Sequence, residues 1–163
     1  MSGLAIRPPA GTSRAPLDMN GVPGLRVTTP NAANDRVILY LHGGGYVVGV
    51  TGSHVNAVAH LAAAAQATVY FPIYRLAPVH PYPAAVDDAM TSYRWLLDQG
   101  VAPESIAIAG DSAGGGLTVA LLTAIRDAEL PMPRAAALMS PWVDLTGSGE
   151  SSVTRAHRDP MFR

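Results

Sequence analysis

Short runs of branched and aromatic residues alternate with helical segments along most of this chain, and that alternation limits the fold more than any other feature. After Arg36, the run Val37-Ile38-Leu39-Tyr40-Leu41 is continuously apolar, as expected of a strand covered on both faces. Residues 54–65 follow with Val55, Val58, Ala59 and Ala62 at helical spacing, and Ser53 stands where an N-cap should. Residues 68–73 form the next predicted strand. Residues 83–99 form the next helix, with Val86, Ala89, Met90, Tyr93, Leu96 and Leu97 on one face. Asp87 and Asp88 suit its positive first turn, and Gly100 suits its end. A strand over 105–109, a helix over 112–127 and a strand over 135–140 complete the series. Strand-helix-strand alternation predicts an α/β fold with a predominantly parallel sheet and helices on both faces.

The ends depart from this pattern. Residues 1–16 are rich in Pro, Gly, Ser and Thr and are expected to form a flexible N-terminal arm, leaving 17–163 as one partial domain. Residues 25–28 are a short candidate strand. Beyond Pro141 the periodicity stops, so the strand over 135–140 is expected to be an unpaired sheet edge and a route to self-association. With 48% hydrophobic and 14% charged residues, a chain of 163 residues can enclose one core. A net charge of −1 without a Lys/Arg cluster argues against nucleic acid or an anionic membrane as partner. No window approaches the ~20 apolar residues of a membrane span. The N-terminus lacks the basic start and apolar stretch of a secretory signal, so a soluble, cytoplasmic protein is expected. Cysteine is absent, which excludes disulfides, thiolate nucleophiles and cysteine-based metal sites.

The chemistry concentrates in two loops. Gly110-Asp111-Ser112-Ala113-Gly114 is a Gly-x-Ser-x-Gly between a predicted strand and a predicted helix. Such a turn holds the serine in a strained backbone geometry with its hydroxyl clear of the sheet, and the flanking positions must be small for strand and helix to close up. An ordinary glycine-rich turn would show the same letters; the strand before and helix after favour Ser112 as a nucleophile at the positive end of its helix.

The second loop, His42-Gly43-Gly44-Gly45-Tyr46, follows the strand ending at Leu41. Ester hydrolysis passes through a tetrahedral oxyanion that needs fixed N–H donors, and glycines let backbone amides approach it. Gly43 and Gly44 are the expected donors, with Ala113, the residue after the nucleophile, as the third. A phosphate cradle is the competing reading. The Gly-Lys-Ser/Thr of a Walker loop is missing, and Val48 breaks the dinucleotide fingerprint. His42 is expected to brace the loop by hydrogen bonding rather than to act as base. His54, His60 and His80 read as structural or surface residues, and Asp88 and Asp144 as bracing carboxylates.

With these residues laid out, the chain resembles the hormone-sensitive-lipase-like branch of the α/β-hydrolases, a group of bacterial esterases. The matching stretches are His42-Gly43-Gly44-Gly45-Tyr46, Tyr74-Arg75-Leu76-Ala77-Pro78 through His80-Pro81-Tyr82-Pro83-Ala84-Ala85 to Asp87-Asp88, Gly110-Asp111-Ser112-Ala113-Gly114-Gly115, and Ser140-Pro141-Trp142-Val143-Asp144-Leu145. The resemblance implies an α/β-hydrolase fold with its C-terminal part missing, and hydrolysis of small carboxylic esters through an acyl-enzyme on Ser112. It implies no cofactor and no metal, and Tyr46 in the substrate pocket. It also implies a helical cap, part of which the short leading region leaves out. In the family the triad runs Ser, Asp, His, with the last two on loops after two further strands, so neither the triad Asp nor the triad His is expected in this chain. Asp159 and His157 come too early and read as part of the cap-forming stretch. The chain alone is therefore expected to turn over little. A non-catalytic ligand-binding module of the same fold, or an inactive fragment, are the alternatives.

Overall fold

A computed structural model describes residues 7–158 of the chain. Its centre is a six-stranded sheet in the order β1-β2-β4-β3-β5-β6. The strands are β1 (Ser13–Met19), β2 (Val22–Thr28), β3 (Val37–Leu41), β4 (Thr68–Pro72), β5 (Ile106–Asp111) and β6 (Ala135–Met139). β3 pairs in parallel with both β4 and β5, and β5 with β6. β1 and β2 are antiparallel additions at one edge.

The unbroken apolar run of β3 has a direct explanation, because both of its faces are covered. Val37, Leu39 and Leu41 pack with Ile106, Ile108 and the helices α2 (Ala84–Asp98) and α3 (Ala113–Asp127). The alternate residues Ile38 and Tyr40 point the other way, toward Val69, Phe71 and helix α1 (Gly52–Ala65). Helices thus cover both faces of a predominantly parallel sheet, as expected.

Three local expectations need correction. Residues 13–16 are not arm but part of β1, which pairs with β2 from Ser13↔Thr28 to Met19↔Val22. The cause is the two-residue turn Asn20-Gly21, whose φ values of 56° and 92° suit the right-handed twist of a tight hairpin. Asp18 accepts a 2.7 Å hydrogen bond from the Gly21 amide and fixes that turn. Residues 1–6 of the expected arm lie outside the described residues. Second, the candidate strand over 25–28 extends back to Val22 for the same reason. Third, the N-cap of α1 is Thr51, not Ser53: its hydroxyl faces the His54 amide, while the His54 ring accepts from the Thr51 amide. A histidine replaces the usual Glu or Gln of that reciprocal cap, which hid it in the sequence.

At the far side, among the described residues, β6 pairs with β5 alone, and all five of its residues are exposed. It is the sheet edge that the sequence predicts. A short helix, α4 (Glu150–Thr154), follows it.

Candidate active site

β3 and β5 are adjacent and parallel, with Tyr40 opposite Ala109 and Leu41 opposite Gly110. The loops leaving their C-terminal ends therefore emerge side by side, where ligands bind in open α/β sheets. One loop carries His42 to Tyr46 and the other carries Ser112.

Ser112 is half-buried and stands between β5 and α3 with φ 51° and ψ −119°. A side chain rarely adopts that conformation, and it costs of order 1–3 kcal/mol. The surroundings impose it. The Ser112 amide donates to the Met139 carbonyl at 2.9 Å, and the Ser112 carbonyl accepts from Trp142 at 2.8 Å and Gly116 at 3.1 Å. Close packing does the rest: a Cβ on Gly114 would enter the carbonyl oxygens of Leu41 and His42, and one on Gly110 would collide with the Gly114 backbone. The requirement for small residues two before and two after the serine is met by contact with β3 and α3.

The glycine loop is held from several sides. His42 is fully buried, its Nδ1 is 2.7 Å from the Gly43 carbonyl, and its ring stacks on Tyr74 at 4.2 Å between centroids. The Tyr74 hydroxyl donates to the His42 carbonyl at 2.5 Å. Burial lowers the His42 pKa below its ordinary value, so the ring is held neutral. Its Nε2 has no hydrogen-bond partner among the described residues. These contacts fix the His42 ring against Tyr74 and the first residue of the glycine loop.

Of the three expected amide donors, Gly43 is corrected by the structure. Its N–H donates to Asp111 Oδ1 at 2.9 Å and is therefore already engaged. Gly44 and Gly45 sit at φ 121° and 62°, and the Gly44 carbonyl accepts from Val47 and Val48. Among the described residues no protein acceptor takes the amide of Gly44, Gly45 or Ala113. For Ala113 the reason is general, since the first amides of a helix lack intrahelical partners. The loop and helix-start amides without a protein acceptor among the described residues are thus those of Gly44, Gly45 and Ala113. Sequence reasoning missed Gly45 because three equivalent glycines do not reveal which amide is already taken.

Tyr46, at φ 63°, lines a cavity of about 440 Å³ together with Gly116, Tyr82, Trp142, Val143 and Leu145. Its ring lies 6.3 Å from that of Trp142, and its hydroxyl approaches Gly116 on the first turn of α3. The walls are mostly apolar. Burial raises the Tyr46 phenol pKa above its ordinary value.

The remaining candidates make other contacts. Asp88 is buried and grips Arg75 through its backbone amide and guanidinium, the shortest contact being 2.6 Å. Asp144 accepts from the amides and hydroxyls of Thr146 and Ser148, which lowers its pKa to about 2. His54 caps α1, His60 contacts the Arg7 carbonyl at 3.0 Å, and His80 stands at the cavity wall. His157 lies exposed in a single turn, and Asp159 lies outside the described residues. No histidine among the described residues hydrogen-bonds the Ser112 hydroxyl.

A family described as alpha/beta hydrolase fold matches residues 38–163, and the chain belongs to that family. Curated relatives that it matches are described as acetyl-hydrolases and esterases. The chain is 48% identical over 133 residues to an acetyl-hydrolase from Streptomyces hygroscopicus, covering 82% of this chain and 44% of the relative. The crystal structure of an esterase/lipase from an uncultured bacterium superposes with a TM-score of 0.91 at 45% identity, covering 96% of this chain and 54% of that one. An esterase from the bacterial hormone-sensitive lipase family gives a TM-score of 0.91 at 46% identity, over 95% and 52% of the two chains. The chain thus spans about half the length of the relatives it matches.

Proposed function

We propose that this chain carries the nucleophile and oxyanion half of a carboxylic ester hydrolase that works through an acyl-enzyme on Ser112. The observation that carries the reading is the pairing of a strained serine with unengaged backbone amides on the neighbouring strand's loop. In the reaction the Ser112 oxygen attacks the ester carbonyl, and the amides of Gly44, Gly45 and Ala113 receive the developing oxyanion. Collapse expels the alcohol, and water then releases the acid. The apolar cavity beside Tyr46 suits one apolar arm of a small ester. No metal or cofactor enters these steps.

A serine hydroxyl is not ionised at neutral pH, so attack requires a histidine to take its proton. None of the histidines described above is bonded to it. The chain by itself is therefore expected to hydrolyse esters slowly. Serine proteases that lose a triad member retain a rate about 10³–10⁴ over water, from the oxyanion hole and binding alone.

The test is a fusion of residues 1–163 to the part of an esterase relative that follows its matched region. The fusion is expected to hydrolyse p-nitrophenyl acetate or butyrate, and Ser112→Ala in the same fusion to abolish it. A folded fusion without Ser112-dependent hydrolysis would refute the reading. A ligand-binding module on the same fold is the second reading, favoured by the mostly apolar cavity beside Tyr46. It predicts ester binding that Ser112→Ala leaves intact, with no turnover. The exposed strand β6 adds a proposal about partners: its free edge pairs with another chain.

A further inference from the structure

Asp111 fills the variable position before the nucleophile, where the Gly-x-Ser-x-Gly pattern asks for no particular residue. Its carboxylate is nonetheless committed on two sides. Oδ1 accepts from the Tyr40 hydroxyl at 2.8 Å and from the Gly43 amide at 2.9 Å. Tyr40 belongs to β3, Asp111 ends β5, and Gly43 opens the glycine loop, so one carboxylate oxygen ties three segments together. Gly43 is shaped to this contact: a Cβ there would lie 3.1 Å from the Asp111 Cγ and from its backbone oxygen. Tyr40 is almost fully buried, and its ring is fixed edge-on to Phe71 at 5.7 Å, which gives the tie a rigid anchor.

The geometry points to a positioning role: Asp111, anchored by Tyr40, clamps the Gly43 amide and so holds the Gly44 and Gly45 amides in line with Ser112. Charge-assisted hydrogen bonds are the stronger kind, and a 1 Å misplacement of a catalytic group can cost about a hundredfold in rate. The bond to Gly43 takes one potential oxyanion donor out of use and fixes the direction of the next two. The inference rests on the esterase reading for its catalytic consequence, while the clamp itself is a structural claim about this chain.

The test compares the 163-residue chain with Asp111→Ala, Asp111→Asn and Tyr40→Phe. Amide proton shifts and hydrogen exchange are read across residues 43–48, beside global stability in urea. The Gly43 amide proton is expected well downfield and to move upfield in Asp111→Ala. Its exchange is expected to accelerate about ten- to a hundredfold, the range for losing a hydrogen bond to a charged group. Asp111→Asn, which retains an acceptor oxygen, restores part of the protection, and Tyr40→Phe loosens the loop less than Asp111→Ala. A merely structural role predicts instead that every slow amide loses protection in proportion to lost global stability, and that result overturns the clamp. An unmoved Gly43 signal in Asp111→Asn and Tyr40→Phe also overturns it, even if Asp111→Ala does not fold. In the fusion above, Tyr40→Phe and Asp111→Asn are expected to lower kcat with KM within about twofold. Unchanged kcat with a loosened loop refutes the catalytic consequence. An inactive parent fusion counts against the esterase reading instead, and the exchange data still decide the clamp.

Discussion

Replacing Ser112 with glycine should make the fold more stable, and the expected size can be worked from the backbone. The residue sits at φ 51° and ψ −119°, a positive-φ region that favours glycine. A side chain in such a region costs of order 1–3 kcal/mol, and glycine releases that strain. Against this, glycine widens the unfolded ensemble by about 0.4–1 kcal/mol. Little else changes, because the Ser112 side chain makes no capping hydrogen bond at the start of α3. The net gain is about 0–2.6 kcal/mol in favour of the variant, centred near 1 kcal/mol. With a urea m-value of about 2 kcal/mol/M, a gain of ~1 kcal/mol raises the midpoint by about 0.5 M. Urea unfolding followed by circular dichroism reads this directly, with Ser112→Ala as control. Alanine keeps the Cβ and the strain, so its midpoint should stay close to the parent. Equal stabilisation by alanine and glycine, or destabilisation by glycine, would show that the backbone at 112 is not strained, and with it the nucleophile assignment would lose its main support.

Two further expectations concern pH and assembly. The folded-state pKa of His42 is lowered by burial, so the unfolded chain binds a proton before the folded one does. Its contribution to stability is complete above the ordinary histidine pKa of about 6.5 and is lost as pH falls from there toward the lowered folded value. Its ring faces Tyr74, Phe71 and His54, with Asp111 nearby, and none of these supplies a bonded counter-charge. His42→Gln should therefore flatten the urea midpoint between pH 7.5 and 5.5 even while lowering it, to roughly the extent that histidine titration shapes that window; parallel slopes for parent and variant would contradict this. For assembly, sedimentation velocity should find multimers, and Leu138→Lys on the exposed β6 edge should shift the population toward monomer. A monodisperse parent would remove the self-pairing proposal.

The residues alone carried the fold class. The run Val37 to Leu41 is apolar at every position, and only a strand covered on both faces tolerates that, so alternation with helical segments implied a parallel sheet between two helical layers. The serine turn was equally legible, because its need for small neighbours is a steric rule written into Gly110 and Gly114. Asn20-Gly21 is a local hairpin signal as well, set in a stretch of loop-like composition. What no local pattern contains is which hydrogen-bonding groups are already used. Gly43 reads as a donor until β3 and β5 align in register and bring the Asp111 carboxylate, 68 positions along the chain, within 2.9 Å of its amide. Tyr40, His42 and Tyr74 acquire their roles in the same way, through neighbours distant in sequence. Periodicity and sterics act within a few residues and so survive in the sequence, whereas the choice among equivalent amides depends on partners that only tertiary packing brings together.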